Sequence, residues 1–330
     1  MLLRFRFGNH GSVNEEQELS LVASSLKDDD RGLIGLPSAG LSVVPAAVIY
    51  GANASGKSTI LDAFRYFRFM VRSSHTRENP GSSLPRQVHM LDPAAASKSS
   101  GFEVDFLHEG VRYNYGFAVS KYAIEDEWLM AYPRERPQHL FSRRKQKFKF
   151  SRLLKGRNQL ISELTRPDSL FVSAGAQNDH EVLSIVSKYV NSWRVNDPTM
   201  GGFGSWTPDK VDRRVIEFLS RIGTGVVSYQ RKKLKPPPGS EAFIKDFRRV
   251  LARHFKDQRT TEQIVMDAPT SVLELGHRAK DGRDIYFALE AESDGTRRLL
   301  VLLSTAFEAL EKGTLLLVDE LDASLHTHAC

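Results

Sequence analysis

Eight residues, Gly51-Ala52-Asn53-Ala54-Ser55-Gly56-Lys57-Ser58, constrain this chain more than any other feature. They satisfy G-x-x-x-x-G-K-[ST], a pattern that works where a strand gives way to a helix. Glycine at both ends lets the backbone curl closely around phosphate, while the loop N–H groups and the helix N-terminus supply positive partial charge. Lys57 is then expected to reach the β- and γ-phosphates and Ser58 to ligate magnesium. Gly51, Asn53, Ala54, Ser55, Gly56, Lys57, Ser58 and Thr59 form the expected site for a nucleoside triphosphate, with ATP and Mg2+ as cofactors. A mere glycine-rich turn is the bland alternative, and the flanks argue against it. The apolar run Leu41–Tyr50 reads as a strand entering the loop. Ile60, Phe64, Phe67 and Val71 recur at helical spacing and predict a helix from Thr59 to about Arg72.

The rest of the chain divides around this motif. Leu2–Phe7 reads as a strand, and residues 73–100, with Pro80, Pro85 and Pro93, as a loop. From Phe102 the period changes to two: Phe102, Val104 and Phe106 precede His108-Glu109-Gly110, and Val111, Tyr113, Tyr115 and Phe117 follow it. This is a hairpin pattern. Further strand-like runs at Glu127–Tyr132 and Leu140–Phe150 predict an antiparallel sheet rather than more βαβ units. Val182–Asp267 mixes helical patterns with glycines near Met200 and three prolines, Pro236–Pro238, and reads as a helical insertion or lid. Strands return at Ser271–Leu275 and Asp284–Glu290, then a helix from Thr296 to Glu311, with Gly313 as its C-cap, and a buried strand at Leu315–Val318. The expected organisation is an N-terminal lobe over 1–180, the insertion over 181–270 and a closing lobe over 271–330, the first and last belonging to one nucleotide-binding fold.

Two further motifs carry chemistry. Leu315–Val318 closes on Asp319 and Glu320, where a rigid strand end would let Asp319 orient the magnesium shell and Glu320 polarise the attacking water as catalytic base. An ordinary acidic turn after a strand is the alternative. Glu292-Ser293-Asp294-Gly295-Thr296 opens the helix before that strand. It can cap that helix, which is the default role of Ser293 or Asp294, or aim N–H groups at the γ-phosphate of a nucleotide held by another molecule.

In order, these features resemble the ABC-type ATPase head: P-loop, S-x-G turn opening a helix, apolar strand ending Asp-Glu, then Leu321–Leu325 as the D-loop. The fold this implies is α/β, a P-loop NTPase with a mixed parallel and antiparallel sheet and a helical insertion. Leu3–Phe7 with Glu18-Leu19-Ser20-Leu21, the form of the P-loop, the Glu-Ser-Asp-Gly-Thr-Arg-Arg turn and Asp319–His326 are similar, more closely, to bacterial AAA-type ATPases of the RloA-like or abortive-infection class. These in turn are similar to the ATPase half of overcoming-lysogenisation-defect nucleases. The resemblance implies a homodimer that sandwiches two ATP molecules, with Ser293 and Gly295 acting across the interface. It also implies a defence or DNA-associated role and a magnesium-sensing glutamine after a strand, for which Ala176-Gln177 after Leu170–Ser173 makes Gln177 the candidate. Heads of this kind continue through a strand carrying a switch histidine, whereas this chain stops ten residues after Glu320. His326 and His328 lie too near the D-loop to serve. A chain ending there is expected to bind ATP, turn it over poorly and aggregate.

Composition removes other classes. No run of eighteen apolar residues could span a bilayer, and Met1–Phe7 alternates apolar residues with arginine instead of forming a signal-peptide core. The single cysteine, Cys330, excludes an internal disulfide framework and cysteine-rich zinc sites, so a cytoplasmic location is expected. A net charge of +6 permits nucleic acid without requiring it. The basic stretch Arg143–Arg157, interleaved with Phe148 and Phe150, fits either a strand with one solvated face or a nucleic-acid track, and Arg231–Lys233 is equally ambiguous. Two outputs stay open: ATP hydrolysis coupled to dimer closure, or an ATP-gated module that recruits a co-encoded nuclease or toxin with little turnover. No second acidic cluster is available for a two-metal nuclease centre.

Overall fold

A computed structural model describes residues 1–24, 32–133, 136–196, 210–233, 271–319 and 321. By contacts the chain forms two units: Met1–Asn196 with Glu311–Asp319, and Asp197–Leu310 with Glu320–Cys330. The boundary at 196/197 leaves the helix Glu181–Asn191 in the first unit, although its sequence falls in the stretch read as an insertion.

The first unit is built on a seven-stranded sheet of β1 (Leu2–Gly8), β2 (Gln17–Ser20), β5 (Ser100–His108), β6 (Val111–Val119), β7 (Ile124–Tyr132), β8 (Gln138–Arg144) and β9 (Lys147–Phe150), in the order β2-β1-β5-β6-β7-β8-β9. Every pairing in it is antiparallel. The expected hairpin is β5–β6, closed by the pair His108–Val111. Its two turn residues, Glu109 and Gly110, have φ of 46° and 76°, the left-handed pair that matches the twist of flanking strands. Two short strands, β3 (Ile34–Leu36) and β4 (Leu41–Val43), pair with each other.

Helix α1 (Lys57–Ser73) lies on this sheet because the residues read as its apolar stripe face inward. Phe64 stacks on Phe5 with ring centroids 3.8 Å apart, and Phe67 stacks on Phe117 and on Trp193. All five rings are fully buried, and each such burial stabilises the fold by about 1.5–3 kcal/mol. Three helices complete the unit: α2 (Asn158–Leu164), α3 (Phe171–Gln177) and α4 (Glu181–Asn191). After α4 comes β10 (Arg194–Asn196), which pairs in parallel with β14 (Leu316–Val318).

Helix α4 begins on an unusual cap. His180 Nδ1 accepts the Leu183 N–H at 3.3 Å, while Nε2 lies 2.8 Å from Asn158 Oδ1. Only a neutral imidazole has the free lone pair this requires. Burial holds His180 below its ordinary pKa. The stability it confers is therefore complete above about pH 6.5 and is lost as pH falls through the lower, folded value. We expect the unfolding midpoint to drop on acidification from pH 7 to 5 by the equivalent of about 1 kcal/mol, the usual worth of a cap. His180→Asn, which caps without titrating, should flatten that dependence; an unchanged acid profile in denaturant unfolding would show that another group causes it.

The second unit has a three-stranded antiparallel meander, β11 (Val226–Lys233), β12 (Ser271–Arg278) and β13 (Asp284–Ala288). Two helices, α5 (Arg213–Arg221) and α6 (Asp294–Lys312), contribute Val215, Ile216, Leu219, Leu299 and Leu300 to one core with Val226, Leu273 and Leu275. Gly313 ends α6 with φ of 60°, as its position in the sequence predicts.

Candidate functional site: a phosphate loop and a helix-opening turn

The phosphate loop has the expected curl at its helix end. Helix α1 starts at Lys57, and its N-cap, Gly56, sits at φ 93°, with no side chain capping the first N–H groups. Those N–H groups are the orphan donors that an anion satisfies at a helix N-terminus. Residues 51–55 and Ser58 are exposed. Lys57 Nζ arches back over the loop and donates to Gly51 O and Ala52 O, both at 2.8 Å. A Cβ on Gly51 would lie 2.5 Å from Ser55 Oγ, so a larger residue there would require the Ser55 side chain to rotate away. The ammonium thus already stands inside the ring of backbone that phosphate oxygens would enter.

A second segment reaches the same place, and the sequence did not announce it. The turn between β1 and β2 brings Ser12 Oγ within 2.8 Å of Thr59 Oγ1, and His10 Nε2 within 2.8 Å of Asp62 Oδ2 on the first turns of α1. The hydrogen bond from His10 holds the Asp62 carboxyl below its ordinary pKa. A Cβ on Gly56 would fall 2.6 Å from Ser12 Oγ. These residues lie about 40 positions before the motif in sequence, and no local pattern ties them to it.

On the other side of the loop, the expected strand Leu41–Tyr50 is corrected. Regular pairing stops at Val43, and β4 pairs with β3 instead of leading into the loop. Val48 and Tyr50 are 66% and 88% exposed. Pro45 lacks the N–H a ladder needs, and among the described residues no strand lies beside Ala46–Tyr50 to complete one. An apolar run announces a strand only when something pairs with it.

Asp319 follows β14, whose Leu317 packs with the preceding Leu315 against the core of the first unit. The expected strand is present as Leu316–Val318, but Leu315–Val318 is half-buried rather than buried, and Asp319 is half-buried at its end. Glu320 lies outside the described residues, as do Asp322–Leu325, His326 and His328. Gln177 is a second correction, because Phe171–Gln177 is helix α3 rather than a strand, and Gln177 is its exposed last residue. The cause is remote: both oxygens of Glu127 on β7 accept the N–H groups of Phe171 and Val172, at 2.8 and 3.0 Å. That carboxylate supplies the helix start that the local sequence lacks.

The turn at Glu292–Gly295 belongs to the second unit. Ser293 precedes α6, and its Oγ accepts the Thr296 N–H at 3.1 Å and lies 2.9 Å from Thr296 Oγ1. The cap is real, and it leaves Ser293 and Asp294 exposed with Gly295 half-exposed. Capping and anion binding are compatible, since a hydroxyl can accept from a backbone N–H while donating outward.

Of the basic residues flagged in sequence, Lys147 and Lys149 are exposed and alternate with half-buried Phe148 and Phe150, a strand with one solvated face. Arg143 is no surface cation at all. It is fully buried against Glu127 at 3.3 Å. Among the described residues, no three His, Cys, Asp or Glu side chains gather to hold a metal, and no helix is long and apolar enough to cross a membrane. The donor set at the loop instead suits magnesium shared with phosphate oxygens, the mode a small, reluctantly dehydrated cation prefers.

The geometry of the loop agrees with comparison to known proteins. No curated protein matches the sequence. A family model described as AAA domain, putative AbiEii toxin, Type IV TA system, matches residues 46–329, which span the phosphate loop, the helix-opening turn and the acidic strand end. This is a family of P-loop ATPases of the abortive-infection type, with nucleotide binding and hydrolysis as its general activity. The chain belongs to this AAA domain family.

Proposed function

We propose that the chain binds ATP with magnesium and hydrolyses it in sites completed by a second copy of itself, in the cytoplasm, and that closure of the pair is passed to a defence effector. The observation that supports this best is the Lys57 ammonium folded back onto the Gly51 and Ala52 carbonyls of an exposed loop that ends in an uncapped helix N-terminus. In this reading Gly51, Asn53–Gly56 and Thr59 cradle the phosphates, and Lys57 meets the β and γ groups. Ser58 and Asp319 hold magnesium, which supplies charge neutralisation on the transferring phosphoryl group. Glu320 takes the proton of the attacking water, and Ser293 with Gly295 on the partner copy contacts the γ-phosphate. Phosphoryl transfer is mostly positioning and electrostatics, so a donor supplied across an interface makes turnover conditional on assembly. The closer kinship with RloA-like ATPases, and a co-encoded nuclease or toxin or a stretch of nucleic acid as partner, belong to the same proposal.

The test is Glu320→Gln. It should keep ATP affinity within about threefold, since the charge-assisted contacts to phosphate survive, lose turnover by roughly 100-fold or more, and accumulate as an ATP-bound dimer in sedimentation. Monomer at every concentration with ATP would defeat the shared site. Dimerisation with ATP but negligible turnover in the unmutated protein would instead favour an ATP-gated recruiter.

A further inference from the structure

The helix-opening turn is tied to the sheet of its own unit by a hydrogen bond between two side chains. His277 on β12 places Nε2 2.8 Å from Glu292 Oε1, and Glu292 is the residue immediately before Ser293. The Glu292 side chain is only 8% exposed. Its backbone is fixed as well, because Glu292 N donates to Leu289 O at 3.1 Å. The imidazole is held in turn: Phe287 meets it edge to face at 5.5 Å, and Gly225, at φ 80°, leaves just the space it occupies, since a Cβ there would lie 3.2 Å from Nδ1. A carboxylate next to an anion-binding turn would ordinarily be a repulsive neighbour for phosphate. Drawn down onto His277, it faces inward and its negative charge is engaged away from the turn.

We infer that His277 and Glu292 are positioning residues for the trans-acting turn: together they set where Ser293 and Gly295 stand when a partner's γ-phosphate arrives. This rests on the proposed role of the turn. Neither side chain touches nucleotide in this scheme. They act through Ser293 by fixing the residue before it, and angstrom-scale misplacement of a catalytic contact is enough to slow a reaction severely.

Complementation provides the readout that simple destabilisation would not mimic. His277→Ala should bind ATP at its own phosphate loop with unchanged affinity, yet lose turnover by roughly 10- to 100-fold. Mixed with Lys57→Ala, which carries an intact turn and a disabled loop, it should regain activity, because one site of the mixed dimer joins an intact loop to an intact turn. His277→Gln, which retains a donor, should recover much of the loss by itself, and Glu292→Gln serves as a second probe if the alanine variant folds poorly. The control is Ser293→Ala in the same assays. If Ser293→Ala leaves turnover intact, the turn does not act in trans and the underlying reading fails. If Ser293→Ala abolishes turnover and is complemented while His277→Ala and Glu292→Gln behave like the unmutated protein, only the positioning role is overturned. Loss of turnover in His277→Ala without rescue in the mixture would also overturn it.

Discussion

Lys57→Ala is expected to weaken ATP binding by about 2–4 kcal/mol, roughly 30- to 700-fold, the scale of one or two charge-assisted hydrogen bonds to phosphate. Two effects combine. The variant loses the side chain proposed to meet the β- and γ-phosphates, and it loses the two 2.8 Å bonds by which the ammonium draws Gly51 O and Ala52 O into a ring. Helix α1 should be untouched, because its buried face is set by Phe64, Phe67, Met70 and Val71 rather than by its first residue. Calorimetric titration with ATP and magnesium, alongside thermal unfolding of the nucleotide-free protein, separates the two. Equal affinity in the variant would end the assignment of the loop; a large loss of intrinsic stability would mean Lys57 serves the fold instead.

Arg143→Met should cost about 3–5 kcal/mol of stability, the typical result of stranding a buried charge. The guanidinium donates to the carbonyls of Ser169 at 2.6 Å and Arg166 at 3.1 Å as well as to Glu127. Removing it leaves Glu127 with its partners Tyr115 OH, Phe171 N–H and Val172 N–H but no compensating cation. Burial already pushes the Glu127 carboxyl above its ordinary pKa, and the attraction of Arg143 works against that. The double variant Glu127→Gln/Arg143→Met should recover part of the loss, since the neutral amide needs no counter-charge, while its one oxygen keeps only one of the two α3 N–H bonds that the carboxylate's two oxygens accept. Denaturant unfolding with the slopes compared gives the answer. A double variant no more stable than the single would place the cost in lost packing rather than in the stranded charge.

How far the sequence reached depended on where each signal came from. Signals confined to a few neighbouring residues read well: the Phe64/Phe67/Val71 stripe became the buried face of α1, and the period-two run on either side of His108-Glu109-Gly110 became β5 and β6. Signals that need a distant partner did not. The start of α3 is capped by a carboxylate 44 residues earlier, so Leu170–Ser173 looked like a strand and Gln177 like its end. The run before the phosphate loop looked like one long strand because it is apolar, but a strand is a pairing, and among the described residues regular pairing ends at Val43. Arg143 sat in a string of cations that gave no sign one of them was inside. Ser12 reaches the end of the loop, and His10 the helix behind it, through the fold alone.

The aromatic bedding of α1 decides which parts of the first unit can yield. With Phe64 face to face on Phe5 and Phe67 wedged between Phe117 and Trp193, tilting or sliding the helix would open voids in a close-packed interior, where compliance is low. The helix is an anvil. Slack is found instead in the unladdered, exposed backbone from Ala46 to Ser55, where few buried contacts resist displacement. A triphosphate bound at the start of α1 would therefore displace that segment before it displaced the helix.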